Sequence, residues 1–441
     1  MTISPFDSTL YGDLFGDTEV MACFSDAAQI RAMIGVERAL ARVQGELRVI
    51  PEESANAIDS VLASVSIDSA SLASSTAQAG VPVPALVASL REHLEANHAQ
   101  YLHWGVTSQD IVDTGQALRL SEVTQIVEQR VVNLLNVLGG LAERYANQPL
   151  AARTRMQSAV PTSFGATVAS WGYPLLAALR QLRTDPAPWL WLSCYGAAGN
   201  SSALGDSADA QRQALGRELD LPVANHAWHS DRSGLADLSG ILTRTSGALA
   251  KLGDDIALHA QTGIGELSLG NAGGSSTMPN KNNPVVAETL ITLFQVATAA
   301  NNAMHSSLVH RQQRDGAAWS LEWHALPQVC MACARGLTLA TTLCEDLSVN
   351  VEAMQRGVVI DGGALLAEAA SFKLAQSMSR VAAQEIVKKL CSEATNGSQS
   401  LYDLLSKAYP DIDWESVFDV YSQLGDAPQQ AQHFAAAVAG I

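Results

Sequence analysis

Residues 273–284 hold the densest set of side chains suited to chemistry, reading Gly-Gly-Ser-Ser-Thr-Met-Pro-Asn-Lys-Asn-Asn-Pro. Glycines permit positive φ angles and close backbone approach, and consecutive free amides form anion-binding nests. Lys281 adds a positive charge and Asn283 an orientable amide. Such a loop suits a carboxylate whose α-carbon gains or loses a proton, because charge then builds on the carboxylate oxygens. On residue types alone, a flexible Gly/Ser-rich connection explains the segment equally well.

A second set of polar side chains, residues 103–114, stands just before a long apolar-patterned stretch. Thr107, Ser108 and Asp110 are residue types that favour helix N-termini, where free backbone amides bind anions. The pattern therefore predicts either an anion-binding helix start or a plain helix cap.

Residues 274–284 resemble the signature of the fumarase, aspartase, argininosuccinate lyase and adenylosuccinate lyase superfamily, with every fixed position filled. The resemblance implies that Ser275 is the base that removes the α-proton or returns it. It also implies that Lys281 and Asn283 hold the carboxylate and stabilise its aci form. Further substrate contacts predicted from this signature are Ser276 and Met278.

The segment beginning at His103 resembles the His-x-Gly-x-Thr-Ser-x-Asp region of adenylosuccinate lyases and of bacterial carboxymuconate cycloisomerases. By that similarity, Thr107 and Ser108 bind a substrate carboxylate. The similarity also predicts that His103 is a catalytic residue and that Asp110 lies beside the substrate in a supporting role.

Residues 153–162 separate the candidate families. Lyases of the superfamily have Arg-Thr-His-x-Gln here, and that His serves acid–base chemistry on the leaving-group side, whereas this chain has Arg155. Arginine stays charged and is a poor proton donor, but it binds carboxylates or sulfonates well. The cycloisomerases also lack this His, and a carboxylate leaving from an opening lactone needs no general acid. Similarity adds Gln157 and Thr162 to the predicted substrate site.

Residues 310–327 resemble the Arg-rich, Trp-x-x-Glu-Trp region of the cycloisomerases. Arg314 is the predicted second anion contact. Trp319 and Trp323 are predicted to be packed aromatic side chains.

Composition excludes several functions. The formal charge of −17 and pI near 4.9 argue against nucleic-acid and anionic membrane partners, because such binding depends on clustered Lys and Arg. The N-terminal residues lack a signal-peptide pattern, and no apolar run reaches the roughly 20 residues of a membrane span. A cytoplasmic protein is therefore expected.

No metal or organic cofactor is predicted. Cys330 and Cys333 form a Cys-x-x-Cys within a helical apolar pattern, without a second ligand pair, so buried thiols are expected. His226 and His229 flank Trp228 without a third ligand at suitable spacing, and they are expected to be surface or interface histidines. The chain also lacks a Gly-x-Gly-x-x-Gly fingerprint and a P-loop.

Ala and Leu at three-to-four spacing predict an all-α fold with long helices. The four longest predicted helices cover 118–145, 239–259, 285–308 and 326–347. Predicted breakers between helices include Pro149, Pro161, Pro174 and the glycine-rich residues 263–274.

The resemblance implies a fumarase/aspartase-like fold of three domains: an N-terminal helical domain (1–110), a central long-helix bundle (111–350) and a C-terminal helical domain (351–441). It further implies a homotetramer with a twenty-helix core, in which three subunits contribute to each active site.

The function expected from the resemblance is lactonisation of 3-carboxy-cis,cis-muconate, a small polycarboxylate, in protocatechuate breakdown through the β-ketoadipate pathway. The alternatives are a 3-sulfomuconate cycloisomerase, an adenylosuccinate lyase, which the missing His disfavours, and an inactive structural homologue. Intact Ser275, Lys281 and Asn283 argue against the inactive homologue.

Overall fold

The fold is given by a computed structural model, which describes residues 4–270, 273–274, 278 and 281–441. Helices dominate these residues, as the apolar spacing predicted. The helices of the first half are α1 (Gly12–Phe15), α2 (Thr18–Phe24), α3 (Asp26–Glu46), α4 (Glu52–Leu62), α5 (Ser69–Ala79), α6 (Val83–Glu92), α7 (Ala96–Ala99), α8 (Ser108–Arg144), α9 (Phe164–Leu182) and α10 (Ala208–Leu219). Those of the second half are α11 (Ser233–His259), α12 (Val285–Ser306), α13 (Gly316–Glu345), α14 (Val351–Val359), α15 (Ala367–Leu374), α16 (Arg380–Asn396), α17 (Leu401–Ala408), α18 (Glu415–Phe418) and α19 (Ala427–Ala439).

Short strands form three antiparallel pairs within the described residues. The strands are β1 (Pro149–Thr154), β2 (Gln157–Ser163), β3 (Leu267–Leu269), β4 (Gly273–Gly274), β5 (Asn282–Asn283) and β6 (Leu347–Val349). β1 pairs with β2, β3 with β6 and β4 with β5. No helix of the described chain is both long and apolar enough to cross a bilayer.

The longest described helix is α8, with 37 residues, and it begins at Ser108 rather than at the predicted 118. The predicted apolar stripe of α8 is confirmed, because five of its side chains are fully buried: Leu120, Val123, Val127, Leu134 and Leu138. Helices α11, α12 and α13 are likewise found where three further long helices were predicted. The spacing of apolar side chains thus placed all four long helices, but α8, α11 and α13 begin six to ten residues before their predicted starts.

Pro174 lies inside α9, so the prediction that it breaks a helix is wrong. A proline within a helix lacks a backbone donor and costs ~3 kcal/mol. The helix nevertheless buries Phe164, Val168, Trp171 and Leu175 almost completely. Each such side chain contributes roughly 1.5–3 kcal/mol by leaving water. Packing of α9 therefore outweighs the cost of its proline.

The chain divides into two compact units. The first unit comprises Met1–Arg130, Ala178–Ser246 and Thr292–Leu337. One cluster of its buried apolar side chains includes Met33, Ile58, Leu86, Leu90, Leu102 and Ile111. This core packs α3, α4 and α6 around the loop that precedes α8, and so it supports the predicted helix-start site.

The second unit comprises Val131–Ala177, Gly247–Ile291 and Thr338–Ile441. Its C-terminal helices have a core of their own, which includes Leu374, Val387, Leu401, Leu405 and Trp414. The unit also holds the β1–β2 hairpin and the described part of the signature loop. The three-domain division at 110 and 350 stays a prediction.

Cys330 and Cys333 are fully buried free thiols of α13, as the sequence predicted. Burial raises the pKa of the Cys333 thiol to about 12 and that of Cys330 above its usual range. Both sulfurs therefore stay protonated and pack as small apolar groups.

Candidate functional site

Helix α8 begins within the polar segment that the sequence singled out. Thr107 directly precedes its first residue, Ser108, and the Thr107 backbone N–H donates to Asp110 Oδ2 at 3.0 Å. This bond is half of a capping box, in which a side chain of the first turn satisfies a backbone donor ahead of the helix. The helix-cap interpretation is therefore confirmed for this segment, and its substrate-binding role stays a prediction.

Asp110 is almost completely buried, with 1% of its surface exposed, and its carboxylate accepts five hydrogen bonds. The donors are the backbone amides of Thr107, Tyr195 and Gly196 at 3.0, 3.0 and 2.9 Å, Ser193 Oγ at 2.9 Å and His229 Nε2 at 2.9 Å. Burial alone raises the pKa of Asp110, but the bonds from His229 and the backbone outweigh it and lower the pKa. The surroundings of Asp110 thus favour its ionised form, which anchors the loop at residues 193–196 to the start of α8.

His229 is buried, so the expectation of a surface or interface histidine is wrong for it. Its Nε2 lies 2.9 Å from Asp110 Oδ1, and its Nδ1 is buried without a hydrogen-bond partner in the described chain. His226, by contrast, is exposed and lies beside Asp231. No spacing pattern pointed to His229, because its partner Asp110 stands 119 residues earlier.

Arg314 lies at the same helix start as Thr107. Its Nε donates to Gln109 Oε1 at 2.7 Å, and its Nη2 donates to Thr107 Oγ1 at 3.3 Å and to the Ala197 carbonyl at 3.1 Å. The guanidinium is exposed. A positive charge and the free amides of a helix start are therefore combined here, which is an arrangement suited to a carboxylate.

A buried ion cluster lies below this helix start and was not predicted. Arg232 donates to Asp113 at 2.6 Å and to Glu322 at 2.7 and 2.8 Å, and all three side chains are fully buried. Trp319 Nε1 donates to Asp113 at 3.0 Å and its ring packs against Trp323. The packed-aromatic interpretation of both tryptophans is therefore confirmed. The cluster ties α8 to α13 through the residue just before α11.

Gln109 links the Asp113 side chain of the ion cluster to the exposed Arg314. Gln109 Nε2 donates to Asp113 Oδ2 at 3.1 Å, while Gln109 Oε1 accepts from Arg314. Gln109 is itself fully buried. The orientation of its amide is fixed by these two bonds, and so is the position of the Arg314 guanidinium.

His103 stands in the loop before α8, with a φ of 65°. Its Nδ1 lies 2.6 Å from Glu37 Oε1 on α3. Burial lowers the pKa of His103, but the hydrogen bond and charge of Glu37, assisted by Asp110, raise it above its ordinary value. His103 is therefore a cation over a wider pH range than a free histidine.

The β1–β2 hairpin in the second unit carries Arg155 and Met156 at its tip, with φ angles of 51° and 64°. Two consecutive positive φ angles are typical of the type I′ turn that joins two-residue hairpins. Arg155 and Thr162 line a cavity of about 550 Å³, together with residues of α11. Gln157 is exposed and does not line this cavity. Two of the three site residues predicted from this segment are thus brought together.

Two residues that line the same cavity, Arg153 and His259, share one buried carboxylate as their partner. Glu266 accepts two hydrogen bonds from Arg153, at 2.7 and 2.8 Å, and one from His259 Nδ1 at 2.6 Å. Burial raises the pKa of Glu266, but these partners outweigh it and lower the pKa. The bidentate pair holds β1 against the segment that leads into the signature loop.

The signature loop is described only in part. Ser275 and Ser276, the predicted base and a predicted substrate contact, lie outside the described residues. Lys281 and Met278 are exposed, and Asn283 pairs with Gly273 in the β4–β5 ladder. Their assignment as catalytic and substrate-binding residues stays a prediction.

The predicted site residues that the structure describes fall into two groups, one in each compact unit. The first unit holds His103, Thr107, Ser108, Asp110 and Arg314; the second holds Arg155, Gln157, Thr162, Met278, Lys281 and Asn283. Within the described part of the chain, no set of three or more His, Cys, Asp or Glu side chains is placed to hold a metal ion.

Comparisons with known proteins extend over almost the whole chain. A family model described as Lyase matches residues 11–298. The chain is 33% identical over 404 residues to the 3-carboxy-cis,cis-muconate cycloisomerase of Pseudomonas aeruginosa, covering 90% of this chain and 88% of that protein. It is 32% identical over 400 residues to trans-aconitate decarboxylase 1 of Mycosarcoma maydis, covering 89% and 80%.

A solved structure agrees with these sequence matches. The 3-carboxy-cis,cis-muconate lactonizing enzyme of Pseudomonas putida superposes with a TM-score of 0.91 at 28% identity, covering 98% of this chain and 99% of that one. Since the family model covers well over half of the residues and the helices superpose throughout, the chain belongs to this lyase family and has its all-α fumarase/aspartase fold.

Proposed function

We propose that the protein is a cycloisomerase that converts 3-carboxy-cis,cis-muconate to its γ-lactone, 4-carboxymuconolactone. The observation that carries the proposal is the match to cycloisomerases of this substrate, which spans 90% of the chain for one of them and 96% for another. The helix start with Arg314 supports it, because a tricarboxylate needs several separate anion contacts.

In the proposed reaction, one substrate carboxylate oxygen forms a bond to a carbon of the conjugated diene. The π electrons of that double bond move toward the neighbouring carboxylate, which becomes an aci-carboxylate held by Lys281 and Asn283. The Ser275 hydroxyl then protonates the α-carbon, and Ser275 regains its proton from solvent. The product carries one negative charge fewer than the substrate, because a carboxylate has become a lactone.

Arg155 fits this chemistry better than a histidine does. In the reverse direction the leaving group is a carboxylate, a stable anion that needs no proton from the enzyme. A permanently charged guanidinium at the hairpin tip attracts that carboxylate and holds it near the diene. The position thus contributes binding and orientation rather than proton transfer.

We also propose a homotetramer with a twenty-helix core and with three-domain subunits, in which three subunits contribute to each active site. The family fold supports the assembly. Gel filtration combined with activity measured during dilution tests it. Activity should fall with the tetramer fraction, and an active monomer would contradict the shared site.

The function is tested with purified protein and freshly generated 3-carboxy-cis,cis-muconate, by following the loss of conjugated-diene absorbance. 3-Sulfomuconate and adenylosuccinate are assayed in parallel. Rapid loss with the carboxymuconate is the expected result. Turnover of adenylosuccinate alone would refute the proposal and would show that Arg155 does not exclude lyase chemistry.

A further inference from the structure

Glu37 lies on α3, outside every segment that carried a sequence motif, and its side chain is fully buried. Its Oε1 contacts His103 Nδ1 at 2.6 Å. Its Oε2 is also buried and has no hydrogen-bond partner in the described chain. A buried carboxylate is strongly unfavourable unless a cation balances it. His103 is the ionisable group in hydrogen-bond contact with it.

The other side of the His103 ring is open. Its side chain is 18% exposed, and Nε2 makes no hydrogen bond with a described residue. Because Glu37 accepts the Nδ1 proton, a neutral ring presents a bare Nε2 and a charged ring presents an Nε2–H donor. The charge state of His103 thus decides whether an approaching carboxylate is attracted.

Three charged side chains from three helices act on His103, namely Glu37 of α3, Asp110 of α8 and Arg91 of α6. The two carboxylates raise the pKa of His103, while burial and Arg91 lower it. Asp110 already accepts five hydrogen bonds from other groups. Glu37 is therefore the direct partner that favours the charged ring.

A purely structural role for the Glu37 contact is unnecessary, because the loop is held by other bonds. Arg91 donates to the carbonyls of Ala99 and Leu102 at 3.2 and 3.0 Å. Gln44 donates to the carbonyl of Trp104, the residue after His103, at 2.9 Å. The backbone on both sides of His103 is thus fixed without Glu37, which acts on the ring alone.

We propose that Glu37 is a positioning residue that keeps His103 cationic, with its Nε2–H available to a carboxylate of the substrate. This role rests on the proposed cycloisomerase function, since it requires a polyanionic substrate at the start of α8. Glu37 itself does not contact the substrate and acts through the imidazole.

The first test is an NMR titration of protein labelled with ¹³C-histidine, in which the His103 signal is identified by its absence in His103→Gln. In Glu37→Gln the His103 signal should titrate at lower pH than in the native protein. The matched control is Glu46→Gln, the same chemical change at an exposed position of the same helix. An unchanged His103 titration in Glu37→Gln would overturn the proposal.

The second test is the pH dependence of KM for 3-carboxy-cis,cis-muconate. In the native enzyme KM should rise as pH increases and His103 loses its charge. In Glu37→Gln that rise should begin at lower pH, and KM at neutral pH should increase about tenfold, as for a lost charge-assisted hydrogen bond. Glu37→Asp should recover part of the native profile, because it restores the charge.

The outcomes of the two tests distinguish a positioning role of Glu37 from a purely structural one. An increase in KM that is the same at every pH, or a lower melting temperature without a shifted pH profile, would mean that Glu37 only braces the loop and would overturn the proposal. If the native enzyme does not turn over the carboxymuconate, the proposed function and the substrate part of this inference both fail. The NMR titration then still decides whether Glu37 sets the charge of His103.

Discussion

In the buried cluster of Arg232, Asp113 and Glu322, one guanidinium faces two carboxylates, and none of the three side chains has exposed surface. Replacing Arg232 with Met leaves both carboxylates buried without their cation. Removing one partner of a buried pair costs about 3–5 kcal/mol of unfolding free energy. Asp113→Asn leaves the Arg232–Glu322 pair intact and should cost less, about 1.5–3 kcal/mol for weakened charged hydrogen bonds.

The stabilities of Arg232→Met and Asp113→Asn should also change with pH in opposite directions. In the native protein burial raises the pKa of Glu322, but Arg232 and His310 outweigh it and lower the pKa. Its ionised form therefore stabilises the fold above the pKa of the unfolded chain, and this stability is lost as pH falls through the folded value. In Arg232→Met the guanidinium no longer opposes the effect of burial, so the pKa of Glu322 in the folded protein rises. That variant should gain stability as pH falls.

The assay is urea unfolding followed by circular dichroism and tryptophan fluorescence between about pH 3 and pH 8, a range that includes the pKa of a free glutamate. Arg232→Lys is the control that keeps a positive charge and loses the forked geometry, so its stability should lie between those of the native protein and Arg232→Met. Equal losses in Arg232→Met and Asp113→Asn, or a loss below about 1 kcal/mol in the former, would refute the reasoning.

Three further predictions concern the site. Ser275→Ala should abolish turnover while the circular dichroism spectrum stays native, and retained activity would remove Ser275 as the base. Arg314→Ala should raise KM about tenfold or more with a smaller change in kcat, whereas Arg311→Ala, at a side chain 79% exposed, should not. A normal KM in Arg314→Ala would exclude it from the site. Gly105→Ala should destabilise the protein by about 1–3 kcal/mol, because φ is 78° and a Cβ would lie 2.9 Å from the Ala203 carbonyl; native stability in urea would contradict this.

The long helices were predictable because each carries an apolar stripe, and the resemblance of one loop signature gave the fold. The first ten residues of α8 were not predictable from periodicity. They bury Gln109, Asp110, Asp113 and Thr114, which are polar side chains that a sequence pattern assigns to the surface. They are buried because partners distant in the sequence satisfy their hydrogen bonds.

The site was predictable where residues stand together in a motif, and it was not where they meet only in the fold. Thr107, Asp110 and Arg314 were named from motifs, and the structure brings them into contact. His229 and Glu37 were missed because each pairs with a motif residue at long sequence separation, 119 and 66 residues away. A single sequence contains no signal for such pairs, whereas covariation between related sequences would contain one.

In the proposed function, the protein adds a carboxylate and a proton across one double bond of the same substrate molecule. The most direct test is proton NMR of the product formed from 3-carboxy-cis,cis-muconate in D₂O. The proposed reaction predicts 4-carboxymuconolactone with one deuterium on the carbon next to the carboxylate, at full mass balance. Formation of two separate products, or recovery of unchanged muconate under conditions where the protein is folded and assembled, would contradict it.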